Sequence, residues 1–154
     1  KNTILVSPDA GGAKRVASLA DKLDLNFALI HKERQKANEV SRMVLVGDVQ
    51  GKSCLLIDDM ADTCGTLVKA CDTLLEHGAK EVIAIVTHGI FSGSAREKLA
   101  NSKLSKIVCT NTVPVDIDLP IVDQVDISPT LAEAIKRLHN GESVSYLFTH
   151  APPA

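Results

Sequence analysis

Aromatic side chains are nearly missing from this chain: no tryptophan, three phenylalanines and one tyrosine, 3% of 154 residues. A surface that stacks unpaired bases needs several rings on one platform, so such a surface is excluded. An excess of positive charge is missing as well, since 17 Lys and Arg stand against 19 Asp and Glu, for a formal net charge of −2. Nucleic-acid binders carry a basic patch or stripe, and none is visible. No apolar run approaches the roughly 20 residues that span a bilayer, and the opening Lys1-Asn2 starts no secretory-signal pattern. The expected setting is cytoplasmic, with neither membrane nor nucleic acid as partner. Cys54, Cys64, Cys71 and Cys109 form no Cys-x-x-Cys pair, and no histidine lies at zinc-finger spacing from them. Free thiols in a reducing compartment follow. An initiator Met is also lacking, and the chain reads as part of a longer one.

What is present is alternation. Short apolar runs at 3–7, 27–31, 43–49, 53–58, 81–87, 106–110 and 121–126 read as strands. Several are apolar on both faces, as strands of a sheet covered on two sides are. Segments of helical period separate them. Val16, Leu19, Ala20 and Leu23 share one helical face, as do Leu67, Cys71, Leu74 and Leu75. Gly78 and Gly141 supply stops, and Ser128-Pro129 reads as an N-cap and first helical residue. The length suits a single domain over 1–154 with a tail at 141–154. The class is α/β: an open, mostly parallel sheet flanked by helices and joined by right-handed crossovers. Residues 31–42, "HKERQKANEVSR", are dense in charge without apolar period. They read as a solvent-exposed, mobile loop.

Ligands of open α/β sheets bind at the carboxyl ends of strands, and two strand ends here carry unusual chemistry. After 3–7 comes "SPDAGGAKR", where Asp9 precedes Gly11-Gly12. Taken alone it is a tight turn with a capping Asp. After 53–57 comes "DDMADTCGT". Three acids exceed what capping one helix requires, and close carboxylates repel unless they share a proton, cations or hydroxyl groups. Asp58 and Asp59, where the strand stops, suit the cis-diol of a ribose or a hydrated Mg²⁺ bridging to phosphate. Thr63, Cys64, Gly65 and Thr66 offer a phosphate close backbone approach, hydroxyls and helix N-terminal N–H groups.

An apolar strand, two acids and then "ADTCGT" resembles the ribose-phosphate loop shared by type I phosphoribosyltransferases and phosphoribosyl diphosphate synthetases. With "PDAGGAKR", "IHKER", "THGIFSG" and "NGESVSYLF" in the same order, nearly the whole chain resembles the second half of ribose-phosphate diphosphokinase. The resemblance implies a phosphoribosyltransferase-like fold and transfer of the diphosphoryl group of MgATP to the 1-hydroxyl of ribose 5-phosphate, releasing AMP. It implies that Asp58 and Asp59 hold ribose hydroxyls. Asp62, Thr63, Cys64, Gly65 and Thr66 then hold the 5-phosphate, and Asp9 lies by the catalytic Mg²⁺. It gives Lys32 and Arg34 to a basic pair on a catalytic loop, and Ser143, Ser145 and Phe148 to an allosteric site for inorganic phosphate and ADP. Homo- or hetero-oligomers are implied too. Lys32 and Arg34 are two apart, so an extended segment points both to one side, where they would meet charge on a transferring phosphoryl group.

The half of such an enzyme that carries most of the ATP site lies outside these residues, so the chain alone is expected to turn ATP over weakly or not at all. A non-catalytic regulatory subunit is the alternative, disfavoured by the basic pair and the three acids. A transferase acting on a nucleobase needs a hood segment, and none is seen. His88, at a strand end, reads equally as site-lining or structural.

Overall fold

The computed structural model describes residues 2–33 and 42–152. Seven strands among them join one sheet: β1 (Thr3–Ser7), β2 (Asn26–Glu33), β3 (Arg42–Val46), β4 (Ser53–Ala61), β5 (Glu81–Gly89), β6 (Lys106–Thr110) and β7 (Val122–Val125). Their spatial order is β3-β2-β1-β4-β5-β6-β7. Only β2 and β3 pair antiparallel, and the other neighbours run parallel. The helices are α1 (Ala13–Leu23), α2 (Gly65–Glu76), α3 (Ala95–Ala100) and α4 (Ser128–Asn140), and a 3₁₀ turn, Val144–Phe148, follows α4. The expected α/β class is thus observed.

Strand order decides where a ligand can sit. From β1 the chain moves outward to β2 and β3, then returns to the other side of β1 for β4 and continues outward. The order therefore reverses between β1 and β4, and a crevice opens beyond the carboxyl ends of strands at such a reversal. Asp9 follows β1, and the acid-rich stretch ends β4, so both flank that crevice.

The two faces of the sheet are unequal. Even positions of β4 and β5, Cys54, Leu56, Val82, Ala84 and Val86, are buried with Leu67, Cys71 and Leu74 of α2 and with Ala95 and Leu99 of α3. Odd positions Leu55 and Ile57 pack with Leu5, Val16 and Ala20 under α1. β1 is buried on both faces from Ile4 to Ser7, whereas β5 alternates buried and half-buried residues, so the expectation of strands closed on both faces holds at β1 and not at β5. Of the helices described, α1 alone contributes buried residues, Val16 and Ala20, to the cluster on the second face. Leu19 and Leu23, read as core on α1, are exposed, and the buried face of α1 is Val16 and Ala20 alone.

Several boundaries differ from expectation, by a few residues at β3, β5 and β7, and three of the differences have a plain physical cause. β4 does not stop at its acids but runs on to Ala61, because Asp58 stays in register with Val86, and Met60 with His88. β2 continues through His31, Lys32 and Glu33, paired with Val44, Met43 and Arg42 of β3. The start and end of the expected loop 31–42 are thus strand, and its remainder lies outside the described residues. The N-cap of α4 is Ile127 rather than Ser128. Asp126 takes over the capping chemistry there, its Oδ1 accepting from the Ser128 N–H at 2.8 Å, the Ser128 hydroxyl at 2.6 Å and Asn111 Nδ2 at 2.6 Å. Those bonds hold its carboxyl below the usual range. Gly78 and Gly141 end α2 and α4 as expected, both at positive φ.

Candidate functional site

Asp9 is two residues past β1. Its main-chain oxygen accepts from the Ser7 hydroxyl at 2.7 Å, and its Oδ1 accepts from the Gly12 N–H at 2.9 Å. Asp9 thus closes a tight turn, as expected, but does not cap α1, whose N-cap is Gly12 without a side-chain bond. It also lines a pocket of about 230 Å³ whose remaining walls are residues 58–67. Two segments nearly fifty positions apart in the chain meet because β1 and β4 are neighbours. Every acid and small residue singled out in "DDMADTCGT" faces this pocket.

Charge is uneven along it. Burial pushes the Asp58 carboxyl up, and the negative charges of Asp59 and Asp9 push the same way, against a 2.9 Å bond from the Asp59 N–H to Asp58 Oδ1. Such a group favours whatever neutralises or shares its charge. Asp59 meets Arg15 Nη2 at 3.5 Å, both side chains being well exposed, and an ion pair of that kind adds little. Asp62 accepts a hydrogen bond from the Ser92 hydroxyl.

Past Asp62 the backbone changes character. Cys64 is left-handed, φ 59° and ψ 5°, and α2 starts at Gly65 without a side-chain cap or an acid in its first turn. The N–H groups of a first helical turn have no partner inside the helix. A left-handed residue leading into a right-handed turn also converges successive N–H groups into a concavity that accepts anions. The pocket therefore has a carboxylate end at 58–59 and an N–H end at 63–66. That arrangement fits a molecule with hydroxyl groups at one end and an anion at the other.

The Cys64 side chain is buried, 4% exposed, and plays no acid–base part: burial pushes its thiol up to about 11. Cys54 and Cys71 are likewise pushed to about 11, and all four cysteines are free and buried, as expected. Thiolates, not thiols, react with alkylating reagents. Iodoacetamide at pH 8 is therefore expected to leave native protein unmodified and to label four sites once it is unfolded, checked by intact mass. Prompt labelling of Cys64 in native protein contradicts this.

Other expected site residues lie elsewhere. Lys32 continues β2, and Arg34 lies outside the described residues. Ser143 precedes the 3₁₀ turn, its hydroxyl 2.8 Å from that of Ser145, and Phe148 is 78% exposed. None of these three lines the pocket. His88 Nδ1 lies 2.8 Å from the Thr112 hydroxyl, and it too is absent from the pocket lining. Two residues went unread in the sequence: Ser92, on Asp62, and Lys98, whose Nζ donates to the Thr63 main-chain oxygen at 3.0 Å. No local signal marks them, because their partners are 30 and 35 positions away.

Among the described residues no group of three His, Cys, Asp or Glu is arranged to hold a metal, and no helix is long and apolar enough to cross a membrane. Mg²⁺ does not require a full protein cage, since it commonly binds one or two carboxylates, waters and substrate phosphates. Asp9, Asp58 and Asp59 in one pocket fit that manner of binding.

Residues 34–149 match the family described as phosphoribosyl synthetase-associated domain. The chain is 91% identical over 151 residues to ribose-phosphate pyrophosphokinase 2 of Saccharomyces cerevisiae, a match covering 98% of this chain and 48% of that protein. It is 65% identical to ribose-phosphate pyrophosphokinase 1 of Candida albicans, covering 97% and 47%. The chain thus spans about half the length of the curated relatives it matches. Among solved structures, phosphoribosylpyrophosphate synthetase from Mycobacterium smegmatis superposes with a TM-score of 0.82 at 38% identity, over 92% of this chain and 46% of that one. Orotate phosphoribosyltransferase from Aeropyrum pernix, at 20% identity and a TM-score of 0.55 over 88% and 65%, shares the fold.

Proposed function

The chain belongs to the phosphoribosyl synthetase-associated domain family, and on that premise we propose that it supplies the ribose-5-phosphate side of a ribose-phosphate diphosphokinase. The observation that carries this reading is the single pocket with carboxylates at one end and an uncapped helix start at the other. Asp58 and Asp59 accept hydrogen bonds from the ribose hydroxyls, and the half-buried Asp58 gains most from such donors. Asp62, Thr63, Cys64, Gly65 and Thr66 take the 5-phosphate, through N–H groups and the threonine hydroxyls. With the phosphate end fixed, the 1-hydroxyl is held for attack on the β-phosphorus of ATP, and AMP leaves. Positioning contributes more to such a transfer than covalent chemistry does.

Asp9, with the carboxylates of Asp58 and Asp59 in the same pocket, would hold Mg²⁺, which when bound would neutralise charge on the polyphosphate. Lys32 and Arg34 add positive charge on the same oxygens. Ser143, Ser145 and Phe148 belong to an effector site for inorganic phosphate and ADP, in a cytoplasmic homo- or hetero-oligomer. Turnover of ATP by this chain alone is weak, because most of the nucleotide site belongs to the other half of the relatives.

Isothermal titration calorimetry tests the reading. Ribose 5-phosphate with Mg²⁺ is expected to bind, and ribose to bind at least about 100-fold more weakly, since several charge-assisted bonds are lost at roughly 1.5–3 kcal/mol each. Binding of a nucleobase in place of the sugar phosphate points to a transferase instead. No binding of either points to a regulatory subunit. AMP release from ATP, compared with that of a longer chain carrying the other half, checks the turnover claim: equal rates contradict it.

A further inference from the structure

We propose that Lys98 is a positioning residue that holds the anion-binding turn at 63–66 in its binding conformation, an inference that rests on the ribose-5-phosphate reading above. Lys98 is half-buried on α3, and its helix is anchored on both sides by the fully buried Ala95 and Leu99. Its Nζ donates to the Thr63 main-chain oxygen at 3.0 Å. A trans peptide sets C=O and the following N–H antiparallel, and no peptide bond among the described residues is cis. With the Thr63 oxygen drawn to α3, the Cys64 N–H points the opposite way. Thr63, Cys64 and Gly65 all line the pocket, so this orientation adds one donor to those of the first turn of α2.

Two further observations give the ammonium a purpose beyond one hydrogen bond. Cys64 is left-handed without being glycine, a conformation that persists only where the surroundings over-determine it. Lys98 on the preceding carbonyl and the burial of the Cys64 side chain do so. Lys98 also stands close to the start of α2, its Nζ 3.7 Å from where a Cβ on Gly65 would lie. A helix N-terminus already carries partial positive charge and favours anions, not cations. The first turn of α2 holds no acid, and Asp62 is turned to Ser92. A cation there opposes the helix when the pocket is empty and supports a phosphate monoester when one is bound.

The test uses the ¹⁵N-labelled chain, titrated separately with inorganic phosphate and with ribose 5-phosphate, as wild type, Lys98→Met and Lys98→Arg. Lys98→Met is expected to weaken both ligands about tenfold, the loss of one charge-assisted bond. Shifts induced at the amides of Cys64, Gly65 and Thr66 shrink, while those that ribose 5-phosphate induces at Asp58 and Asp59 persist at saturation. Lys98→Arg restores most of the affinity, which a merely structural role for the stem does not predict. Affinity of Lys98→Met within twofold of wild type overturns the inference and leaves the ribose-5-phosphate reading standing. Wild type that binds neither ligand overturns both. Should Lys98→Met not fold, Lys98→Gln replaces it, keeping a donor without the charge. Its expected affinity lies below wild type, and equality with wild type overturns the role of the charge.

Discussion

Replacing Asp58 with Asn is expected to raise the melting temperature while removing most affinity for ribose 5-phosphate. Burial raises the Asp58 carboxyl in the fold, with Asp59 and Asp9 adding repulsion. A carboxyl raised in the folded state binds its proton more tightly there than in the unfolded chain. Its favourable contribution is complete below the ordinary carboxylate range and is lost as pH rises through the folded value. At pH 7 the ionised group is therefore a cost, which Asn removes while its Oδ1 can still accept the Asp59 N–H. Because Asp58 is only half-buried, solvent screening limits the gain to about 0.5–1 kcal/mol, roughly 1–4 °C for a domain of this size. The gain is expected to vanish as pH falls through the carboxylate range, where wild-type Asp58 is itself protonated. Binding moves the opposite way, by about 10–100-fold, for the loss of charge on an acceptor of hydroxyl donors. Calorimetric melting at pH 7 and at pH 3.5, with titration at pH 7, checks both. A lower melting temperature at pH 7 contradicts the electrostatic account.

Gly89→Ala is expected to cost the most stability of any single methyl group added near the site. A Cβ there would lie 2.5 Å from Phe91 Cε2, 3.0 Å from Phe91 Cζ and 3.0 Å from Cys109 Sγ. Phe91 packs against the main core and is itself left-handed, so its ring has little room to retreat. Overpacking of this kind costs about 2–3 kcal/mol, or roughly 4–12 °C. The site is expected to feel it too. Ile90 and Phe91 donate their N–H groups to the Ala61 oxygen at 2.9 and 3.0 Å, and Ser92 holds Asp62. Displacing Phe91 therefore disturbs Ala61 and Asp62, the stretch of the pocket between its carboxylate and N–H ends. Thermal unfolding with a ribose-5-phosphate titration measures both effects. Unchanged stability refutes the packing argument, and lost stability with intact binding refutes the coupling.

The sequence was most legible where a signal is local. Runs such as Lys106–Thr110 need no partner to be recognised as strands, and β6 keeps the expected bounds. The stretch 58–66 announced itself because three acids and four small residues serve no plain structural end. Where β4 stops was not legible: Asp58 and Met60 stay in the sheet through pairing with Val86 and His88 of β5, and no local propensity reports that. Asp9 shows the same limit from the other side, since its turn-closing bond is local but its place in the pocket depends on β1 lying beside β4. No role was legible for Ser92, inside "THGIFSG", or for Lys98. A serine and a lysine in "FSGSAREK" look like solvated polar residues until the β5–α3 connection folds back over the turn after β4.

The central claim is that one sugar phosphate lies along residues 58–66 in a single direction. A crystal structure of the chain with ribose 5-phosphate tests it most directly. The account predicts phosphate oxygens within about 3 Å of the Gly65 and Thr66 main-chain nitrogens, with ribose hydroxyls on the carboxylates of Asp58 and Asp59. A sugar phosphate bound in the reverse direction, or in a different pocket, contradicts it.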